Sequence, residues 1–178
     1  MYCHGLNTER LLMRPITKDD VTVWATFFMD PVATRFIPTG GETDVHKRAA
    51  FWIERQLARY AENRYGMMAL INKANNELVG QCGLLTQMID GKQELEIGYH
   101  LLPKYWKQGF ATEAASTFRD FAFKNKLADS IISIIALENY PSQNVAVRNG
   151  MKVDKQSEFF DKDVLIYRIT RDEWMNII

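Results

Sequence analysis

An α/β fold built on one mixed sheet is predicted by three features of the sequence. Residues 94–102, ELEIGYHLL, alternate in character as a strand does. Residues 130–137, SIISIIAL, form a nearly unbroken apolar run, the pattern of a strand buried on both faces. Between them Ala111, Ala114, Ala115, Phe118 and Ala122 recur at helical spacing, so strand, helix and buried strand read as a right-handed crossover joining parallel neighbours. The strands before the crossover are separated by the short turns KANN and IDGK and read as antiparallel hairpins, which makes the sheet mixed.

The elements follow in order. ERLLMRPI (9–16) is a first strand ended by Pro15. TKDDVTVWATFFMD is a helix with Thr17 as N-cap, acidic residues in the first turn, and Val21, Trp24 and Phe28 at helical spacing. PVATRFIPTGGETD (31–44) is rich in Pro and Gly and reads as a loop. A second helix covers 45–64, with Ala49, Trp52, Ile53, Leu57 and Tyr60 as its apolar side. Strands follow at 66–72, 77–87 and 94–102. In the last of these Leu95, Ile97, Tyr99 and Leu101 point one way, and Glu94, Glu96, Gly98 and His100 the other. Gly98 interrupts that strand where a bulge is expected to open a gap beside the next one. The crossover helix runs to about Lys126. NYPSQNVAVRNG (139–150) is a short helix stopped by Gly150, and MKVDKQSEFF with DVLIYRIT closes the chain as a hairpin. The order is β-α-α-β-β-β-α-β-α-β-β, with no repeat or linker, so residues 1–178 form a single domain.

Length and composition narrow the function classes. At 178 residues, 47% hydrophobic and 25% charged, the chain reads as an ordinary globular domain. Lys plus Arg and Asp plus Glu both total 22, and a net charge of zero argues against nucleic-acid binding. Cys3 and Cys82 make neither a disulfide framework nor a metal site, and His4, His46 and His100 share no ligand spacing, so no metal is expected. No apolar run approaches membrane-spanning length, and MYCHGLNTERLLMR lacks the hydrophobic stretch of a signal peptide; a cytoplasmic location is expected. Apolar residues near the C-terminus leave monomer and homodimer both open.

KYWKQGFATEA (104–114) places Gly109 where a helix begins, after Lys104 and Lys107. First-turn N–H groups lack partners inside a helix, and the dipole makes that end positive. A glycine lets another molecule approach the backbone, so the stretch reads either as an anion cradle or, on this feature alone, as a plain helix start. It is neither G-x-x-x-x-G-K-[ST] nor G-x-G-x-x-G. ELEIGYHLLPKYWKQGFATEA, followed by ENYPSQNVAVRNGM, resembles the GNAT superfamily of N-acetyltransferases, and within it the RimJ/RimL-type branch. TERLLMRPITKDD at the start and the Tyr-Arg-Ile strand before RDEW extend the resemblance over nearly the whole chain. It implies the GNAT acyl-CoA N-acyltransferase fold, acetyl-coenzyme A as donor and its pyrophosphate as the anion. The family's Gln/Arg-x-x-Gly-x-Gly/Ala loop falls on Trp106 to Ala111, with Trp106 departing from the first position. The N–H groups of Lys107, Gln108, Gly109, Phe110, Ala111 and Thr112 would wrap the diphosphate. Lys104 and Lys107 either assist a phosphate or stand solvated.

The same resemblance supplies roles for the reacting residues. The pantetheine arm would pair with strand backbone around Tyr99 to Leu101, beside Glu96. Acetyl transfer to an amine needs a proton acceptor, and the Glu96 carboxylate fits; otherwise it faces solvent or pairs with a basic residue, and Glu94, two residues away, competes for the role. Asn139 and Ser142 match the family's Asn-x-x-Ser: Asn139 would bond pantetheine, or only cap the short helix, and Ser142 would lie near the sulfur as a proton donor. Many relatives carry a tyrosine acid four residues before the glycine, where this chain has Ala146; Tyr99 and Tyr140 are nearby substitutes. The acceptor, a protein N-terminal α-amine or a small-molecule amine, would meet the 31–44 loop and the hairpin around 156–163. The alternative is a non-catalytic acyl-coenzyme A-binding or interaction module.

Overall fold

The computed structural model describes residues 5–37 and 41–177; Cys3, His4 and residues 38–40 of the expected loop lie outside the described residues. In chain order the elements are β1 (Leu11–Pro15), α1 (Val21–Met29), α2 (Pro31–Thr34), α3 (Val45–Ala61), β2 (Met67–Asn72), β3 (Leu78–Ile89), β4 (Lys92–Leu101), α4 (Phe110–Lys124), β5 (Ser130–Ala136), α5 (Tyr140–Arg148), β6 (Lys152–Glu158), β7 (Asp163–Thr170) and α6 (Arg171–Met175). The strands form one sheet in the order β1-β2-β3-β4-β5-β7-β6. Every neighbouring pair is antiparallel except β4 and β5, which are parallel as the crossover pattern predicts.

Helices cover the sheet from both sides. On one face α1 and α3 pack through Trp24, Phe27, Phe28 and Trp52; the Trp24 and Phe27 rings stack at 4.6 Å, and Trp52 meets His100 of β4 edge-on at 5.0 Å. On the other face lie α4 and α5, where the Tyr99 hydroxyl donates to the Ser142 carbonyl at 2.8 Å. β4 is therefore covered on both sides, and its polar alternation carries buried groups: Glu94 is 8% exposed and Glu96 9%.

Three sequence expectations are corrected. The stretch at 31–44 includes α2, because Asp30 accepts the N–H groups of Val32 and Ala33 at 2.8 and 2.9 Å and Pro31 presets the first helical turn. The chain ends on α6, capped by Thr170, whose N–H and hydroxyl meet Glu173 at 2.9 and 3.1 Å. Gly98 makes no bulge against β3, since that register runs unbroken from Gly80 opposite Leu101 to Ile89 opposite Lys92. A Cβ at Gly98 would lie 2.7 Å from Met67 Cε and 3.3 Å from Leu85 Cδ1, so a larger residue there would displace the Met67 side-chain tip.

His100 has consequences for acid stability. Between Phe27 and Trp52, burial pushes its imidazole down to about 4. The fold thus favours the neutral ring, while the unfolded chain binds a proton below about pH 6.5. This stability is complete above pH 6.5 and disappears as the pH falls toward 4, a loss of about 2–3 kcal/mol. Urea unfolding from pH 7 to 4 should show that extra loss in the parent and not in His100→Phe; parallel curves would remove His100 as its source.

Candidate active site

The parallel strands part soon after they meet. Among the described residues β4 and β5 share a single register pair, Glu96 with Ile132. Side chains complete the ladder there. Ser133 Oγ donates to the Ile97 carbonyl at 2.9 Å, and the Ile134 N–H donates to the Glu96 carboxylate. A cleft opens beyond this apex. Backbone groups alternate between strand edges, so Tyr99 and Leu101 face the same open edge as Ile97. The indole of Trp106 donates to the Leu101 carbonyl at 2.8 Å, leaving the Leu101 N–H and both Tyr99 groups on that edge. A groove of about 670 Å³ lies between the outer side of α1, at Val23, Thr26 and Met29, and Leu102–Lys104, where β4 runs into the loop.

The loop ends in an anion-ready helix start. Gly109 caps α4 at φ +84°, and Lys107 also has positive φ, at 60°. The first bond onto the helix is Glu113 N–H to the Gly109 carbonyl at 3.0 Å, so Phe110, Ala111 and Thr112 precede the helical ladder. The Gln108 side chain donates back to the Lys104 carbonyl at 2.8 Å, leaving its backbone N–H as its contribution to a cradle. Lys104 is engaged by Glu77 at 2.8 Å, so of the two lysines Lys107 is the one with no ion-pair partner among the described residues. From β1's N-terminal flank, Arg10 braces this turn: its guanidinium donates to the Gln108 carbonyl at 2.9 Å and Glu113 at 2.6 Å, and lies 4.3 Å over the Phe110 ring.

Two carboxylates on one face of β4 have opposite electrostatics. Burial opposes ionisation of Glu94, but Arg168 meets it with two nitrogens at 3.0 Å each, and Lys92 lies at 3.3 Å; together they hold Glu94 below the ordinary carboxylate range. Burial pushes Glu96 upward, against partial support from Gln87 Nε2 at 2.7 Å, the Ile134 N–H and the more distant charge of Arg59. Glu96 is buried from solvent and, among the described residues, forms no ion pair. A carboxylate kept from ready ionisation is a stronger base once ionised, and a neighbouring pair split this way assigns different tasks to its members.

At the start of α5, Asn139 is the N-cap, its Oδ1 accepting the Ser142 N–H at 3.3 Å. Tyr99 donates its hydroxyl to the Ser142 backbone, and burial raises its phenol pKa, while Tyr140 is 65% exposed. Trp106 thus ties the loop to the open edge of β4, Tyr99 ties β4 to the start of α5, and Glu96 marks the point where β4 and β5 part; the groove beside α1 is lined by none of Glu96, Tyr99, Gly109 or Asn139. Arg10, Gln87, Ser133 and Arg168 were not singled out from the sequence. Each acts on a residue of the site from a different strand or strand flank, and no local spacing connects them.

A mixed sheet parted between two parallel strands, with a helix start placed to receive an anion after the first, is the architecture of an acyl-coenzyme A-dependent transferase. Residues 10–152 match the acetyltransferase (GNAT) domain family. The chain is similar to the uncharacterized N-acetyltransferase p20 of Bacillus licheniformis, at 30% identity over 85% of this chain and 83% of p20. Its fold is similar to the crystal structure of an acetyltransferase from Agrobacterium tumefaciens str. C58 (28% identity, TM-score 0.75, 92% of each chain). It is also similar to that of Mycobacterium smegmatis RimJ in complex with CoA-disulfide (20% identity, TM-score 0.71, 92% of this chain and 83% of RimJ). The chain belongs to the GNAT family and is an N-acetyltransferase.

Proposed function

We propose that the chain moves the acetyl group of acetyl-coenzyme A to a primary amine, with Glu96 as the general base. The observation that carries this reading is the split carboxylate pair on β4, where that strand parts from β5: Glu94 is saturated by Arg168, and among the described residues Glu96 has no bonded cation. The residues present fit the donor. The N–H groups from Lys107 to Thr112 turn about two positive-φ residues and suit a diphosphate, with the exposed Lys107 as a counter-charge. The Tyr99 and Leu101 edge offers an amide-bearing arm the pairing that β5 does not supply, and Asn139 would hold that arm at the start of α5.

When bound, the thioester supplies an activated acyl carbon and a thiolate leaving group. Glu96 receives the proton the acceptor nitrogen gives up, directly or through water, and the Ser142 hydroxyl supplies the proton taken by the sulfur. Ile134 N–H and Gln87 keep the carboxylate at the apex, so the acceptor meets a base already in place. The acceptor enters between residues 31–37 and the β6–β7 turn, where Phe160 is 66% exposed. The candidate acceptors are the α-amine of a protein N-terminus, which the RimJ/RimL-type resemblance of the sequence implies, and a small-molecule amine.

Thiol release from acetyl-coenzyme A, measured across small primary amines and peptides with free α-amines, tests the proposal. Cofactor binding should also stabilise the fold by about 2.7 kcal/mol at a hundredfold excess over Kd, seen as a higher Tm. Thiol release with one acceptor class identifies the substrate. No Tm change at millimolar acetyl-coenzyme A together with no release would overturn the reading.

A further inference from the structure

Gln87 stands on β3 directly opposite Glu94 and one step diagonal to Glu96. Both carboxylates are on its face, yet its amide donates to Glu96 Oε2 at 2.7 Å. Glu94 is already filled by the paired nitrogens of Arg168, itself fastened to Asp154 at 2.9 Å and Ser130 at 2.8 Å. The amide has a property that a basic residue lacks here. It stays neutral at every working pH, so it orients a carboxylate without the full charge that would make that carboxylate a poor base. It also leaves lone pairs of Glu96 unused, since a carboxylate accepts about four hydrogen bonds and, among the described residues, only Gln87 and the Ile134 N–H are bonded to it.

We propose that Gln87 is a positioning residue for acetyl transfer, its amide fixing the Glu96 carboxylate at the cleft apex so that a free lone pair faces the acceptor. The proposal rests on the reading of Glu96 as the base. Among the described residues, the charged and titratable groups that act on Glu96 are Glu94 on its own strand and face, Arg59 on α3, and Arg168 of β7 and Lys92 acting through Glu94; Tyr99 lies on the opposite face of β4 and is coupled to Glu96 through charge alone, and β5 presents the Ile134 N–H. Among the described residues, Gln87 is the side chain that donates a hydrogen bond to Glu96, beside the backbone N–H of Ile134.

The test compares Gln87→Met, which keeps length and removes the donor, with Gln87→Glu, which keeps shape and adds an acid. kcat and KM are followed against pH in the full chain with the acceptor found by thiol release, and acetyl-coenzyme A affinity is measured by calorimetry. Losing a hydrogen bond to the ionised form should move the acid limb of the kcat profile up by about one to two pH units in Gln87→Met. Gln87→Glu should move it further the same way, because like charges oppose ionisation. Acetyl-coenzyme A affinity should stay within about twofold of the parent, which separates positioning from a general loss of fold. An unmoved acid limb in both variants, with Glu96→Gln still slow, overturns the role of Gln87 and leaves Glu96 as base. Full turnover in Glu96→Gln overturns the base reading, and Gln87 falls with it.

Discussion

Glu96→Gln is expected to lower turnover by about 10²–10⁴-fold while raising the melting temperature at neutral pH. The rate loss is the usual worth of a positioned general base. The gain in stability has a separate origin. Burial raises the carboxyl of Glu96 above its unfolded value, so its protonated form is the one the fold favours. The fold suffers no penalty below the unfolded value near pH 4.5, and the penalty grows as pH rises toward the folded value, because burial must then be reconciled with charge. A glutamine carries no charge and can still meet Gln87 and the Ile134 N–H through its oxygen. The difference in Tm between variant and parent should therefore vanish near pH 4 and grow toward pH 7. Part of the lost activity should return at high pH, where more of the acceptor amine is already neutral. Thermal melts and kcat at several pH values check both halves. Full turnover at neutral pH would leave orientation of an already neutral amine as the main catalytic device.

The fold was legible where local chemistry decides it. Alternation at 94–102, the apolar run at 130–137 and the tight turns between strands determine the pairings, and these depend on neighbours in sequence. The short helices α2 and α6 were missed although their signals were present: Asp30 before Pro31, and Thr170 three residues ahead of Glu173. The site was legible in part. Gly109 and the residues after it announce an anion-binding turn, because a helix start has the same unpaired groups in any fold. Glu94 and Glu96 were indistinguishable, since their separate electrostatics come from Arg168 on β7 and Gln87 on β3. Arg10 is likewise invisible to any reading of spacing, being 98 residues before the Gln108 carbonyl it holds. The bulge expected at Gly98 fails for a related reason: the cleft comes from β5 leaving β4 after Ile132, with Ser133 and Glu96 satisfying the groups set free.

Gly109→Val should abolish most acetyl-coenzyme A binding, and the cause is the turn itself more than lost charge. At φ +84° the backbone of Gly109 occupies the left-handed region, where a β-branched residue is strained by about 1–3 kcal/mol. A Cβ there would also lie 3.3 Å from Arg10 Nη2, the guanidinium that holds the Gln108 carbonyl and Glu113. Relief of the backbone strain rotates the peptides whose N–H groups would face the diphosphate, whereas the Arg10 guanidinium need shift by only a few tenths of an ångström. Losing two such charge-assisted bonds, at about 1.5–3 kcal/mol each, corresponds to an affinity loss of at least about 100-fold. Lys107→Ala removes one exposed charge and leaves every backbone donor in place, so it should cost only a few-fold. Calorimetric titration of acetyl-coenzyme A into the parent and both variants separates the two contributions. If Gly109→Val binds as the parent does, the diphosphate lies elsewhere. If Lys107→Ala is the weaker binder, side-chain charge, rather than the backbone turn, holds the anion.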